Sequence, residues 1–168
     1  MSNGMDNTGG YGGEFMPTKI STSDLDIIVS SGRTHCAAVR GLPLMILPVT
    51  TQVHALYNVI NMQELRTAQA AIVIAAAIND KEDTRQVREV VLGTANRMVV
   101  AAGDVGLATL WIDAQYLQEL QQEAALKALN IPPNYKLWVL LAIGKPKRIA
   151  PLSAINRTQS ILNQIYDK

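Results

Sequence analysis

At 168 residues, 48% of them hydrophobic, the chain has the size of one ordinary domain and enough apolar mass to bury a core without metals or disulfides. Its 15 basic residues stand against 14 acidic ones with no block of like charge, which leaves no electrostatic footprint for nucleic acid or an anionic membrane. No apolar run reaches bilayer length, the single cysteine, Cys36, excludes an internal disulfide, and two histidines, His35 and His54, do not complete a zinc ligand set, so no metal is expected.

The expected partners are therefore small molecules or a second copy. The N-terminus lacks a basic segment followed by an apolar one, so it does not read as a signal peptide and the expected compartment is the cytoplasm.

Residues 1–14 carry five glycines among Asn, Ser, Thr and Asp, a composition that buries too little apolar surface to offset its ordering entropy. They read as a flexible tail. Ser23 precedes two acidic residues, Asp24 and Asp26, where a helix dipole favours them, which predicts a short helix over 24–31 capped by Ser23. The segment 33–43 then reads as an extended loop. Pro43 to Val49 is apolar and holds a proline at each end of its core, which predicts a buried strand ending at Pro48. Ala70 to Ile78 is a second, stronger strand candidate.

From Thr84 the apolar residues Val87, Val90, Val91, Ala95, Met98, Val99 and Ala102 follow the three-four spacing of one helix face. This long helix is the expected core element, ended by Gly103 and Gly106. Leu107 to Ile112 reads as a strand. Asp113 is placed to cap a further helix, with Leu117, Leu120, Ala124, Leu126 and Leu129 on its apolar face and Ile131-Pro132-Pro133 as its stop. Leu137 to Ile143 is the last core strand. After Gly144, the basic run Lys145-Pro146-Lys147-Arg148 leads to a possible final helix around 155–165. No internal repeat is visible.

Five features in this order carry a resemblance: Asn96 in the long helix after an apolar strand, Gly106-Leu107-Ala108-Thr109-Leu110-Trp111-Ile112, the next helix, Pro132 to Tyr135, and the apolar strand ending in Gly144-Lys145-Pro146. Together they resemble the nitroreductase family, over about residues 15–152, with 153–168 as a helical extension. The likeness extends upstream through Lys19-Ile20-Ser21-Thr22-Ser23-Asp24-Leu25. It implies an α+β, three-layer fold with a central, mostly antiparallel sheet flanked by helices. It further implies a homodimer with two FMN sites, each flavin held by both chains, and hydride transfer from NAD(P)H to a nitroaromatic, a quinone or another small acceptor.

On that resemblance, the backbone amides of Asp113 and Ala114 stand where the family hydrogen-bonds flavin N5 and O4, stabilising negative charge on the reduced ring. Asp113 also reads simply as a helix cap, and both roles are compatible. Lys147 and Arg148 match a basic pair that reaches the FMN phosphate, an anion that arginine binds through two parallel hydrogen bonds; the other reading is a solvated basic turn. No catalytic side chain is assigned.

The chain departs from the pattern in two places. Aligned on Phe15, the family's phosphate-holding arginines fall on Gly9, Gly10 and Gly13. Val39 stands where an asparagine contacts the flavin, in a loop running from Arg33 to Pro43. Arg33 and Arg40 in that loop are candidate replacements for the lost arginines, or surface charges. Cys36 beside His35 invites a nucleophile reading, but no third orienting group is evident, and a small buried thiol fits better. His54, Tyr57, Gln63 and Glu64 receive no role. Two functions follow: an FMN-dependent oxidoreductase, or a degenerate relative without flavin that serves as structural or regulatory partner of an intact paralogue.

Overall fold

The computed structural model describes residues 15–37, 44–77 and 84–147. Gly9, Gly10, Gly13, Val39, Arg40, Arg148 and the expected final helix lie outside the described residues. The element order is α1 (Thr22–Ala37), β1 (Leu44–Val49), α2 (Val53–Ile60), β2 (Ala70–Ala77), α3 (Thr84–Asp104), β3 (Ala108–Asp113), α4 (Glu119–Ala128) and β4 (Tyr135–Gly144). The four strands form one antiparallel sheet in the order β1-β2-β4-β3.

The two central strands read as unbroken apolar runs because both of their faces are covered. Alternation divides β2: Ala71, Val73 and Ala75 pack with α2 and α4, while Ala70, Ile72, Ile74 and Ala76 pack with α1 and α3. The sheet is thus the middle of three layers, as the resemblance implied. In β4, Leu137 and Leu140 face the α2–α4 side although three positions apart. The register explains this: Ile74 pairs with Val139 and Ala75 with Leu137, so Trp138 is the extra residue of a bulge.

Several local expectations change. The first helix is twice as long as predicted, and its cap is Ser21, whose Oγ accepts the Asp24 N–H at 3.1 Å, rather than Ser23. Because α1 continues to Ala37, Arg33, His35 and Cys36 lie on a helix and not on an extended loop. Glycine inside a helix costs about 1 kcal/mol relative to alanine, yet α1 holds Gly32 and α3 holds Gly93. Both serve close approach: a Cβ on Gly32 would meet Met98, and one on Gly93 would meet His35. The pattern of apolar spacing was blind to this, because it scores what a side chain buries and not what its absence admits.

Pro48 does not end β1, which continues to Val49. Its lack of an N–H is tolerated because β1 is an edge strand. The long helix buries Val87, Val90, Val91, Ala95, Met98 and Ala102 as expected, with Val99 partly buried. Gly103 is its penultimate residue; the stop is Gly106, at φ +81°. There the Leu107 N–H donates to the Ala102 carbonyl at 2.9 Å and the Gly106 N–H to the Gly103 carbonyl at 3.1 Å, the paired bonds of a glycine-closed helix end.

Asp113 does not cap α4. It ends β3, a single 3-10 turn covers Ala114–Tyr116, and α4 starts only at Glu119 with Gln118 in the cap position. The buried residues are Ala125, Leu126 and Leu129, while Leu120, expected on the apolar face, is 78% exposed. The first residues of the expected helix were spent on the turn.

Candidate functional site

Residues at one end of the sheet are the C-terminal ends of β2 and β3 and the N-terminal ends of β1 and β4. Here the edge strand β3 stops early. Asp113 pairs with Val139, and beyond it Leu137 and Trp138 have no strand partner on that side among the described residues. Asp113 stays exposed while Ala114 is fully buried, so the chain turns inward under a surface carboxylate. Gln115 Nε2 donates to Asp113 Oδ1 at 3.0 Å, and the Leu117 N–H donates to the Ala114 carbonyl at 3.2 Å.

The side chain that holds this turn was missed in the sequence. Gln122, in the first half of α4, donates Nε2 to the Ala114 carbonyl at 2.7 Å and to the Leu137 carbonyl at 3.1 Å, and its Oε1 accepts the Leu137 N–H at 3.0 Å. The amide therefore uses both its donors and one acceptor lone pair on main chain. Its neighbour Gln121 donates to the Ile60 carbonyl at 3.4 Å, tying α4 to the end of α2. One signal was present: Gln122 falls three and four positions before the buried Ala125 and Leu126, a polar residue on an inward face.

The other expected site residues fall into two groups. Arg33 lies at the same sheet end as the turn, where its Nη2 donates to the Ile46 carbonyl at 3.3 Å. Ile46 pairs with Ile74, Ile74 with Val139, and Val139 with Asp113. Ile46, which Arg33 contacts, and Asp113 therefore lie on one rung at opposite edges of the sheet, three strand spacings or roughly 14 Å apart. Lys147 is at the far end of the sheet, where Gly144 pairs with Ala108. Five residues of β4 separate that rung from the Asp113 rung, roughly 17 Å.

The far end is closed by the N-terminal chain. Phe15 is buried, bridges to Pro146 and donates its N–H to Thr67 Oγ1 at 2.9 Å. The Met16 N–H donates to the Lys145 carbonyl at 2.9 Å. Phe15 and Met16 thus lie against Lys145 and Pro146, next to Lys147 in the chain.

Cys36 is half-buried rather than buried as expected. Its Sγ lies 3.2 Å from Oγ1 of the fully buried Thr94, with His35 over Gly93 on the neighbouring face of α3. An open groove of about 570 Å³ runs between α1 and α3 and is lined by Ser31, His35, Asn96, Arg97, Val100 and Asp104, among others. Val100 there is 64% exposed. No group of three or more metal-ligating side chains converges among the described residues, and none of the described helices is long and apolar enough to cross a membrane.

Solved structures share this fold. One is an FMN-dependent nitroreductase from Clostridium difficile R20291, with TM-score 0.66 and 19% identity, covering 82% of this chain and 83% of the other. The chain has a nitroreductase-like fold. A nitroreductase family protein from Clostridium novyi NT gives TM-score 0.66 at 20% identity over 80% of each chain. A third, from Desulfovibrio desulfuricans, is assigned as a nitroreductase and was solved in complex with FMN; it gives TM-score 0.63 at 16% identity, over 84% of this chain and 87% of that one. No protein-family model matches the sequence, and no curated protein matches it. In this nitroreductase-like fold the turn after β3 passes from the exposed Asp113 to the buried Ala114 and is braced by Gln122.

Proposed function

We propose that the chain is an FMN-dependent oxidoreductase that works as a homodimer and passes reducing equivalents from NAD(P)H to a small acceptor such as a nitroaromatic or a quinone. The observation that carries this reading is the turn at Asp113 and Ala114, placed at the end of β3 in a fold shared with FMN-dependent nitroreductases. FMN, when bound, supplies the hydride chemistry.

The chain's own part is placement and electrostatics. Ala114 is buried and its carbonyl is held by two donors, which restrains the turn. Its amides are suited to stabilise negative charge at N5 and O4 of the ring. Asp113 is the exposed residue of the pair, while Ala114 is buried in this protomer, so contact of the ring with the Ala114 amide requires the turn to open on flavin binding. Lys147 and Arg148 are assigned to the phosphate on the resemblance of this basic pair. Lys147 and the turn stand at opposite ends of β3, and a flavin held by both chains of a dimer does not need both from one protomer.

The test is the visible absorption spectrum of the purified protein, followed by titration with FMN. Flavin bands near one equivalent per chain are expected. A colourless protein that ignores added FMN overturns the proposal and favours the degenerate, flavin-free partner instead. Arg148→Ala is expected to weaken FMN binding roughly 10- to 150-fold, the equivalent of one charge-assisted hydrogen bond; unchanged affinity removes Arg148 from the phosphate site.

A further inference from the structure

We propose that Gln122 is a positioning residue for the flavin contact: its side-chain amide takes the place of the next residues of β3 and, by holding the Ala114 carbonyl, fixes the residue whose own amide is assigned to the ring. The inference rests on the flavin reading above and goes one step further, to the group that tunes it.

The geometry is specific. Continuing the antiparallel register past the Asp113–Val139 pair would place Gln115 opposite Leu137. Gln115 is instead in the 3-10 turn, and Gln122 gives the Leu137 N–H an acceptor and the Leu137 carbonyl a donor. A carboxamide has the same donor and acceptor pair as a peptide group, so it substitutes for a strand residue that has left the sheet. Its second N–H reaches the Ala114 carbonyl at 2.7 Å, the shortest bond of the set.

That carbonyl belongs to the residue whose own amide is assigned to the ring. Two donors, Gln122 Nε2 and the Leu117 N–H, converge on the Ala114 carbonyl, and together they restrain rotation of the turn. The site lies where β4 also bulges at Trp138, so the ladder on the β2 side does not steady Leu137 by regular pairing alone. A preorganised donor gains its effect by not moving as charge develops, and a donor that must first reorient loses part of it. The effect should fall on the reduced, more negative flavin and not on the oxidised one.

Gln122→Met keeps the length of the side chain and removes all three hydrogen bonds; Gln122→Asn keeps the amide but is one methylene too short to span Ala114 and Leu137 together. For wild type and both variants, the measurements are thermal unfolding, oxidised-FMN affinity by fluorescence titration, the FMN midpoint potential, and amide hydrogen exchange at Leu137 in the flavin-free protein. Folded variants should bind oxidised FMN within about threefold of wild type, exchange faster at Leu137, and bind reduced FMN about tenfold more weakly relative to oxidised. That ratio corresponds to a potential about 30 mV more negative for a two-electron couple.

A purely structural glutamine would lower the unfolding temperature and leave the ratio of reduced to oxidised affinity unchanged. That outcome, in a wild-type background that binds FMN, overturns the positioning role alone. Absence of FMN binding in the wild type overturns both this role and the proposed function.

Discussion

Gly32 of α1 meets Met98 of α3 so closely that a Cβ on the glycine would stand 2.6 Å from Met98 Sδ and 3.3 Å from Ile46 Cδ1. Met98 is fully buried, so it has no solvent to swing into. Gly32→Ala is expected to strain this contact by about 1–3 kcal/mol, against a gain of roughly 1 kcal/mol in helix propensity. Urea unfolding should show a lower midpoint with an unchanged slope; a raised midpoint would mean that the thioether repacks without cost.

The two glycines at the end of α3 should respond with opposite signs. Gly103 is helical and a Cβ there meets nothing within 4 Å, so Gly103→Ala is expected to stabilise by up to about 1 kcal/mol. Gly106 also has open space but sits at φ +81°, where an L side chain is strained, and Gly106→Ala should cost about 1–2 kcal/mol. Thermal melts of the two variants side by side decide it, and shifts of equal sign would contradict the assigned helix end.

Phe15 is the anchor of the N-terminal chain. Its ring covers Gly144 so closely that a Cβ there would lie 2.6 Å from its Cβ and Cγ. Phe15→Ala should lose about 3–5 kcal/mol, with faster amide exchange at Met16, whose N–H is bonded to Lys145. A loss below 1 kcal/mol would show that the anchor is dispensable.

Arg33 already directs its guanidinium at the Ile46 carbonyl, and it stands at the sheet end away from Lys147. Arg33→Ala is therefore expected to cost about 0.5–1.5 kcal/mol of stability and to leave FMN affinity within threefold. A tenfold loss of affinity in titration would restore Arg33 as a replacement for the missing phosphate arginines.

What the sequence made legible follows from how each element earns its place. The strands of the centre and the long helix were readable because burial on one or two faces writes itself into apolar spacing, as from Val87 to Ala102. The end of α1 was not, since Gly32 to Cys36 is held by what it packs against and carries little apolar signal. Asp113 misled for a related reason: an acidic residue before a helix looks the same whether the helix begins at once or after a turn. At the turn after β3, Asp113 and Ala114 were singled out through resemblance alone, whereas Gln122 was overlooked because a glutamine bonded to main chain is indistinguishable in sequence from one in water.

The strand order has a consequence for biosynthesis. β2 is made soon after β1, which flanks it on one side, but its other neighbour is β4, and Ala70 pairs with Ile143, 73 residues later in the chain. At translation rates of about 5–20 residues per second, that edge waits roughly 4–15 seconds for its partner. During this interval the ribosome presents a nascent chain with Ile72, Val73 and Ile74 on an unpaired β edge. Yield in cells should therefore depend on holdase chaperones more than the stability of the finished protein would suggest.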